Sequence, residues 1–98
     1  MSKNQQYFVY LVSNYKRNVL YTGITNNLVK RVFAHKKELV KGFTAKYKVH
    51  YLLYFEIFDN ALLAIEREKQ IKRWSRKKKN VLIAKMNPTL KDFYPTII

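Results

Sequence analysis

The sequence contains no cysteine, which excludes disulfides and a Cys-ligated zinc site and is in keeping with a reducing cytoplasm. Two histidines, His35 and His50, give no zinc-binding spacing. No apolar stretch approaches the roughly 20 residues of a membrane span, and the N-terminus lacks the apolar core of a signal peptide. No Pro- or Gly-rich linker and no internal repeat divides the chain. A Gly-rich phosphate loop and a nucleophile-elbow serine are missing too, so neither nucleotide hydrolysis nor serine chemistry is indicated. Acids are the last shortage: six Asp and Glu stand against twenty Lys and Arg, a formal charge of +14. A polyanion is the natural partner of such a chain.

What is present is a normal apolar content, 48%, so a folded core is expected rather than disorder. The expectation is one domain over residues 1–98, with its core at about 7–92. At this size a domain buries roughly 60–65% of the surface its unfolded chain exposes. Tyr7–Val12 is continuously apolar, as in a strand buried on both faces. A polar loop over Ser13–Asn18 and a second run over Val19–Ile24 complete a hairpin. Asn26 or Asn27 can cap a helix from Leu28 to about Lys41, with Gly42 as its stop. Val49–Phe58 reads as a third strand, rich in aromatic and β-branched residues. Asp59 or Asn60 opens a second helix to about Trp74. Ser75 opens a third that ends before Asn87-Pro88. The order ββαβαα describes an α+β fold, a small three-stranded antiparallel-type sheet flanked by helices.

Several side chains carry chemistry. Arg31 and His35, four residues apart, share one face of the first helix beside an apolar stripe of Leu28, Val29, Val32, Phe33, Leu39 and Val40. The plain alternative is a solvated face with an Arg stem lying over the core. On the second helix Glu68 falls among Ala61, Ala64, Ile65 and Ile71, whereas Glu66 points away. A carboxylate in that position is costly without a compensating cation. A metal is the better account than an intrahelical pair with Lys72, which contributes only a few tenths of a kcal/mol when exposed. Arg67, Lys69, Lys72, Arg73, Arg76, Lys77, Lys78 and Lys79 place eight cations within thirteen residues. Lys36 and Lys37 belong to a second basic group around Arg31. With so few acids nearby, phosphate binding is favoured over a merely solvated face.

Read in order, these pieces resemble a stand-alone GIY-YIG nuclease domain from Tyr7 to about Asp92. Phe8-Val9-Tyr10 stands at the first signature and Tyr21-Thr22-Gly23 at the second. Arg31, His35, the segment EREKQIKRWSRKKK with Glu68, and Asn87 follow. Phe8, Val9 and Thr22 depart from the signature at positions that chiefly serve the strands. The resemblance implies a metal-dependent endonuclease that hydrolyses DNA phosphodiester bonds, as in repair or recombination. It implies one Mg²⁺ (or Mn²⁺) on Glu68 and Tyr10 as general base, with Tyr21 bonded to phosphate or water. His35 would orient Tyr10 or relay its proton, Arg31 would stabilise phosphoryl charge, and Asn87 would brace the metal site. Taken singly, each tyrosine is equally a core aromatic and Asn87-Pro88 an ordinary turn. Two other readings remain open: a module of this fold that binds nucleic acid without turnover, and a basic RNA- or ribosome-associated protein. A recruiting protein partner is also left open.

Overall fold

The computed structural model describes residues 5–98. Three strands, β1 (Tyr7–Ser13), β2 (Leu20–Thr25) and β3 (Tyr51–Phe58), form a sheet in the order β2-β1-β3, antiparallel throughout. The uninterrupted apolar run is therefore the central strand, where both faces need cover. Val9 through Ser13 are buried in succession. Helix α1 (Leu28–Lys36) and the short α2 (Phe43–Lys46) lie between β2 and β3 in sequence. Helices α3 (Ala61–Lys72), α4 (Arg76–Met86) and the short α5 (Tyr94–Ile97) follow β3.

Alternation along β1 supplies two cores. Val9 and Leu11 pack with Leu53, Tyr54, Ala64, Ile71 and Ile83, so α3 and α4 cover that face. Tyr10 and Val12 pack with Leu52, Leu28, Val32 and the C-terminal Phe93, Tyr94 and Ile97 on the other. The register shift at Leu11/Val12 pairs Leu11 with Tyr54 and Val12 with Leu52. The extra residue lets neighbours Leu53 and Tyr54 join the same core, as a β-bulge permits.

The caps read from the sequence hold the helices. Asn27, Asn60 and Ser75 each accept the backbone N–H three residues on, those of Lys30, Leu63 and Lys78. Such caps contribute about 1 kcal/mol apiece.

Three expectations need correction. Helix α1 stops at Lys36, well before Lys41, and its terminator is Glu38 at φ 57°. The N–H of Glu38 bonds the His35 carbonyl and that of Leu39 the Ala34 carbonyl, a Schellman closure. Glycine is the usual occupant of such a site. A side chain in the left-handed region costs about 1–2 kcal/mol. Here the Glu38 carboxylate is held by Lys48 (3.3 Å) and His50 (3.1 Å), which the sequence did not disclose. Gly42, at φ 100°, instead caps the start of α2. Helices α2 and α5 were not anticipated, because four residues are too few to show a period. Finally, β3 begins at Tyr51 rather than Val49. Among the described residues, no helix is long and apolar enough to cross a membrane.

Candidate active site

The register places Tyr10 opposite Gly23. Because Gly23 has no side chain, the Tyr10 ring occupies the space where one would be. On its other side the Tyr10 hydroxyl lies 2.9 Å from Nε2 of His35. Tyr10 is 2% exposed and His35 1%, so both polar groups are confined to each other. His35 is thus a core residue of α1, in line with Leu28 and Val32 at helical spacing. This corrects the expected stripe: Val29, Phe33 and Leu39 are exposed, and Arg31 lies outward rather than beside a half-buried imidazole.

The surroundings polarise this pair in opposite senses. Burial raises the Tyr10 phenol well above the usual tyrosine range, with Tyr21 and Glu68 adding to the rise and the Arg31 guanidinium opposing it. Burial lowers His35 to about 4, helped by Arg31 and His50. A protonated phenol therefore faces a neutral imidazole. The phenol donates when Nδ1 carries the ring proton and accepts when Nε2 does. Nδ1 itself finds no hydrogen-bond partner among the described residues.

Strand β2 brings Tyr21 edge-on to the same imidazole, with ring centres 5.8 Å apart. Helix α3 turns Glu68 inward with Ala64 and Ile71, as the wheel indicated, while Glu66 is exposed and so is Ile65. The Glu68 carboxylate accepts the Lys72 ammonium at 2.6 Å. The pair that the sequence offered as the alternative to a metal is therefore formed. Its lysine is half-exposed and its carboxylate is not. Tyr10 senses the charge of Glu68, so phenol, carboxylate and guanidinium share one electrostatic neighbourhood.

Asn87 is 1% exposed and fully engaged elsewhere. Its amide donates to the carbonyls of Leu53 (3.0 Å) and Lys91 (2.7 Å), and its oxygen accepts the Lys91 N–H. It ties β3 and the C-terminal segment to the end of α4 and makes no hydrogen bond to Glu68 or to either tyrosine.

The basic residues fall into two groups. Lys37, Arg73, Lys77 and Lys78 are exposed, with the Lys78 ammonium 4.4 Å from the centre of the Trp74 ring. Lys79 is half-buried, and its burial and the nearby Arg76 and Lys72 lower its pKa. Others are employed in the fold. Lys36 donates to Asp92 (2.5 Å) and to the His50 carbonyl (2.7 Å). Arg67 forms a forked pair with Glu56 at 2.8–2.9 Å. Arg76 donates to the carbonyls of Arg17 (2.6 Å) and Asn18 (2.9 Å). The run is thus less uncompensated than its sequence suggests. Sequence reasoning missed Phe43, stacked on Tyr21 with ring centres 6.2 Å apart. The aromatic pair Phe43 and Tyr47, four residues apart, was the available signal.

A family model described as the GIY-YIG catalytic domain matches residues 6–80. A UPF0213 protein of Clostridium perfringens is 40% identical over 77 residues, covering 79% of this chain and 82% of the relative. A UPF0213 protein of Bacillus pumilus is 34% identical over 86 residues, covering 88% and 86%. The solution NMR structure of a UPF0213 protein from Bacillus halodurans superposes with a TM-score of 0.57 at 22% identity, over 94% of each chain, which supports the α+β fold.

Proposed function

This chain belongs to the GIY-YIG family, and we propose that it is a metal-dependent endonuclease cutting phosphodiester bonds in DNA. The observation that carries the reading is the Tyr10 phenol held between Gly23 and His35, with Glu68 and Arg31 both acting on it. A lone inward carboxylate suits Mg²⁺ or Mn²⁺, since magnesium keeps most of its waters. Among the described residues no cluster of three His, Asp or Glu competes with it. Glu68 would hold the ion, which when bound supplies Lewis-acid polarisation of the phosphate and screens the leaving oxygen.

The remaining work belongs to the chain. Once nearby positive charge has offset the burial that now holds the phenol protonated, Tyr10 releases its own proton to solvent, and the resulting phenolate accepts the proton of the attacking water. His35, neutral and fixed on Tyr10, sets the direction of that hydroxyl. Arg31, exposed and close enough to influence both, stabilises negative charge building on the phosphoryl oxygens. Tyr21 hydrogen-bonds the phosphate or the water. Asn87 acts at a distance, as a positioning residue that fixes β3 against α4. Lys37, Arg73, Lys77, Lys78 and Lys79 hold flanking backbone. DNA repair or recombination is the setting that such an activity would serve.

The Lys72–Glu68 pair favours a second reading, a module of this fold that docks on nucleic acid without cutting. One experiment separates the two. Labelled linear, nicked, flapped and branched DNA is incubated with Mg²⁺ or Mn²⁺ and the wild-type chain, Glu68→Ala, Tyr10→Phe or Glu66→Ala. The nuclease reading requires cleavage by the wild type and Glu66→Ala, and its loss in the other two. Binding without cleavage in every arm would establish the docking module.

A further inference from the structure

A file of aromatic rings leads from the buried site to the surface. Tyr21 stands edge-on to His35, Phe43 stacks on Tyr21 with an interplanar angle of 29°, and Tyr47 lies 4.7 Å from Phe43 between ring centres. The outer two are 48% and 42% exposed. Helix α2 explains why they point outward together. Its buried residue is Thr44, whose hydroxyl bonds the Val40 carbonyl and whose carbonyl accepts the Val49 N–H. Phe43 and Tyr47, four residues apart, share one exposed side of this turn.

Leaving two aromatic faces in water contributes little to the core. The charges around them indicate what would cover them. The Lys46 ammonium lies 5.4 Å from the Tyr47 ring centre, and Lys37 and Lys41 are exposed on the same connection. Glu38, the one acid between β2 and β3, is engaged with Lys48 and His50. Ring faces bordered by cations match a base with its phosphate, because every base offers a π-face whatever its identity. An apolar peptide would leave those cations uncompensated.

We infer that Phe43 and Tyr47 form a nucleobase-stacking subsite, taking one unstacked base beside the phosphate held at Tyr21 and Arg31. The inference rests on the nuclease reading for the position of that phosphate, but its binding chemistry stands apart from turnover. A base paired within a duplex presents no free face, so the subsite selects nucleotides that are unpaired or splayed out next to the bond.

The test uses the whole chain in EDTA, where binding is read without cleavage. The probe is a short single-stranded DNA carrying one fluorescent purine analogue whose emission falls on stacking, compared with the same analogue inside a blunt duplex. The wild type should quench the single-stranded probe. The Phe43→Leu/Tyr47→Leu variant should lose the quench and bind about 5- to 150-fold more weakly for each base that no longer stacks. Phe43→Trp, which keeps a ring, should retain both properties and guards against a trivial loss of fold. An unchanged quench and affinity in the double variant would overturn the subsite. So would an equal loss on single strand and duplex with no change in emission, which would mean backbone contact only. A wild-type dimer that the double variant converts to monomer would place a second copy on these rings and would also overturn it. Quenching by a wild type that never cleaves with Mg²⁺ would support the subsite while refuting the nuclease.

Discussion

Gly23 and Tyr10 occupy each other's space: a Cβ on Gly23 would stand far inside van der Waals distance of both Cζ and the hydroxyl oxygen of Tyr10. The phenol cannot retreat, since His35 closes its other side. Gly23→Ala is therefore expected to displace the Tyr10 ring, with an overpacking cost of about 1–3 kcal/mol. Cleavage should fall with it, because the hydroxyl leaves its partner. Gly42→Ala is the contrast. Its φ of 100° strains a side chain, yet nothing lies within 4 Å of the new methyl. That variant should lose about 1–3 kcal/mol of stability from backbone strain and keep its single-turnover rate. Thermal melts beside single-turnover assays decide the matter. Equal cleavage rates in the two variants would show that the Tyr10 position is not critical.

Lys72 sits where a cation bound to Glu68 would have to compete. Removing it as Lys72→Met should tighten Mn²⁺ binding by a few-fold, in keeping with the roughly 0–1 kcal/mol of a half-exposed ion pair. Titration followed by the electron paramagnetic resonance of free Mn²⁺ reads this without any cleavage. An affinity indifferent to Lys72 would argue that Glu68 is not the ligand.

The sequence disclosed the sheet and the long helices because their signals are local. The apolar run of β1, the caps at Asn27, Asn60 and Ser75, and the wheel position of Glu68 each reappear in the structure. The orientation of α1 was not legible. A histidine at a core position looks like a polar-face residue until its partner is known, and Tyr10 is 25 residues away. The end of α1 was hidden for a similar reason. Glu38 tolerates a left-handed backbone in the company of Lys48 and His50, interactions that only the folded chain makes. Asp92 is the other silent residue. Its carboxylate accepts the N–H groups of Leu52 and Tyr94 and the ammonium of Lys36, so that this lysine is engaged within the fold.

Stability should depend on pH through His35. Its folded pKa of about 4 lies below the ordinary 6.5, so between those values the unfolded chain takes up a proton that the folded chain refuses. The contribution of a neutral His35 is complete above 6.5 and is lost as pH falls toward 4. Glu56 also has a lowered pKa and weakens the fold in acid, so a wild-type melt alone does not isolate the imidazole. The difference between wild type and His35→Gln does. The melting temperature of the wild type should decline more steeply than that of His35→Gln as pH falls from 6.5. Parallel profiles would mean that His35 is protonated in the fold.

The basic run separates into lysines without an acidic or hydrogen-bonding partner among the described residues and braces of the fold. Lys77 and Lys78 are exposed and Lys79 is half-buried. None of the three side chains has an acidic partner or a hydrogen bond among the described residues. The Arg76 guanidinium, one position earlier, is spent on the carbonyls of Arg17 and Asn18 and on the Asn80 side chain. Replacing Lys77, Lys78 and Lys79 by Gln should weaken binding equally on unrelated sequences. For every phosphate no longer neutralised, the dependence of log affinity on log salt should flatten by about 0.7–0.9. At saturating protein and low salt the cleavage rate should recover, because Tyr10, Tyr21 and Glu68 are untouched. Arg76→Ala should do the reverse: it frees the loop between β1 and β2 and lowers the melting temperature, with the salt slope nearly unchanged. If the triple variant keeps the wild-type slope, those lysines are a solvated face and the DNA path runs elsewhere. A flattened slope in Arg76→Ala instead would mean that its guanidinium leaves the loop carbonyls for phosphate when DNA arrives.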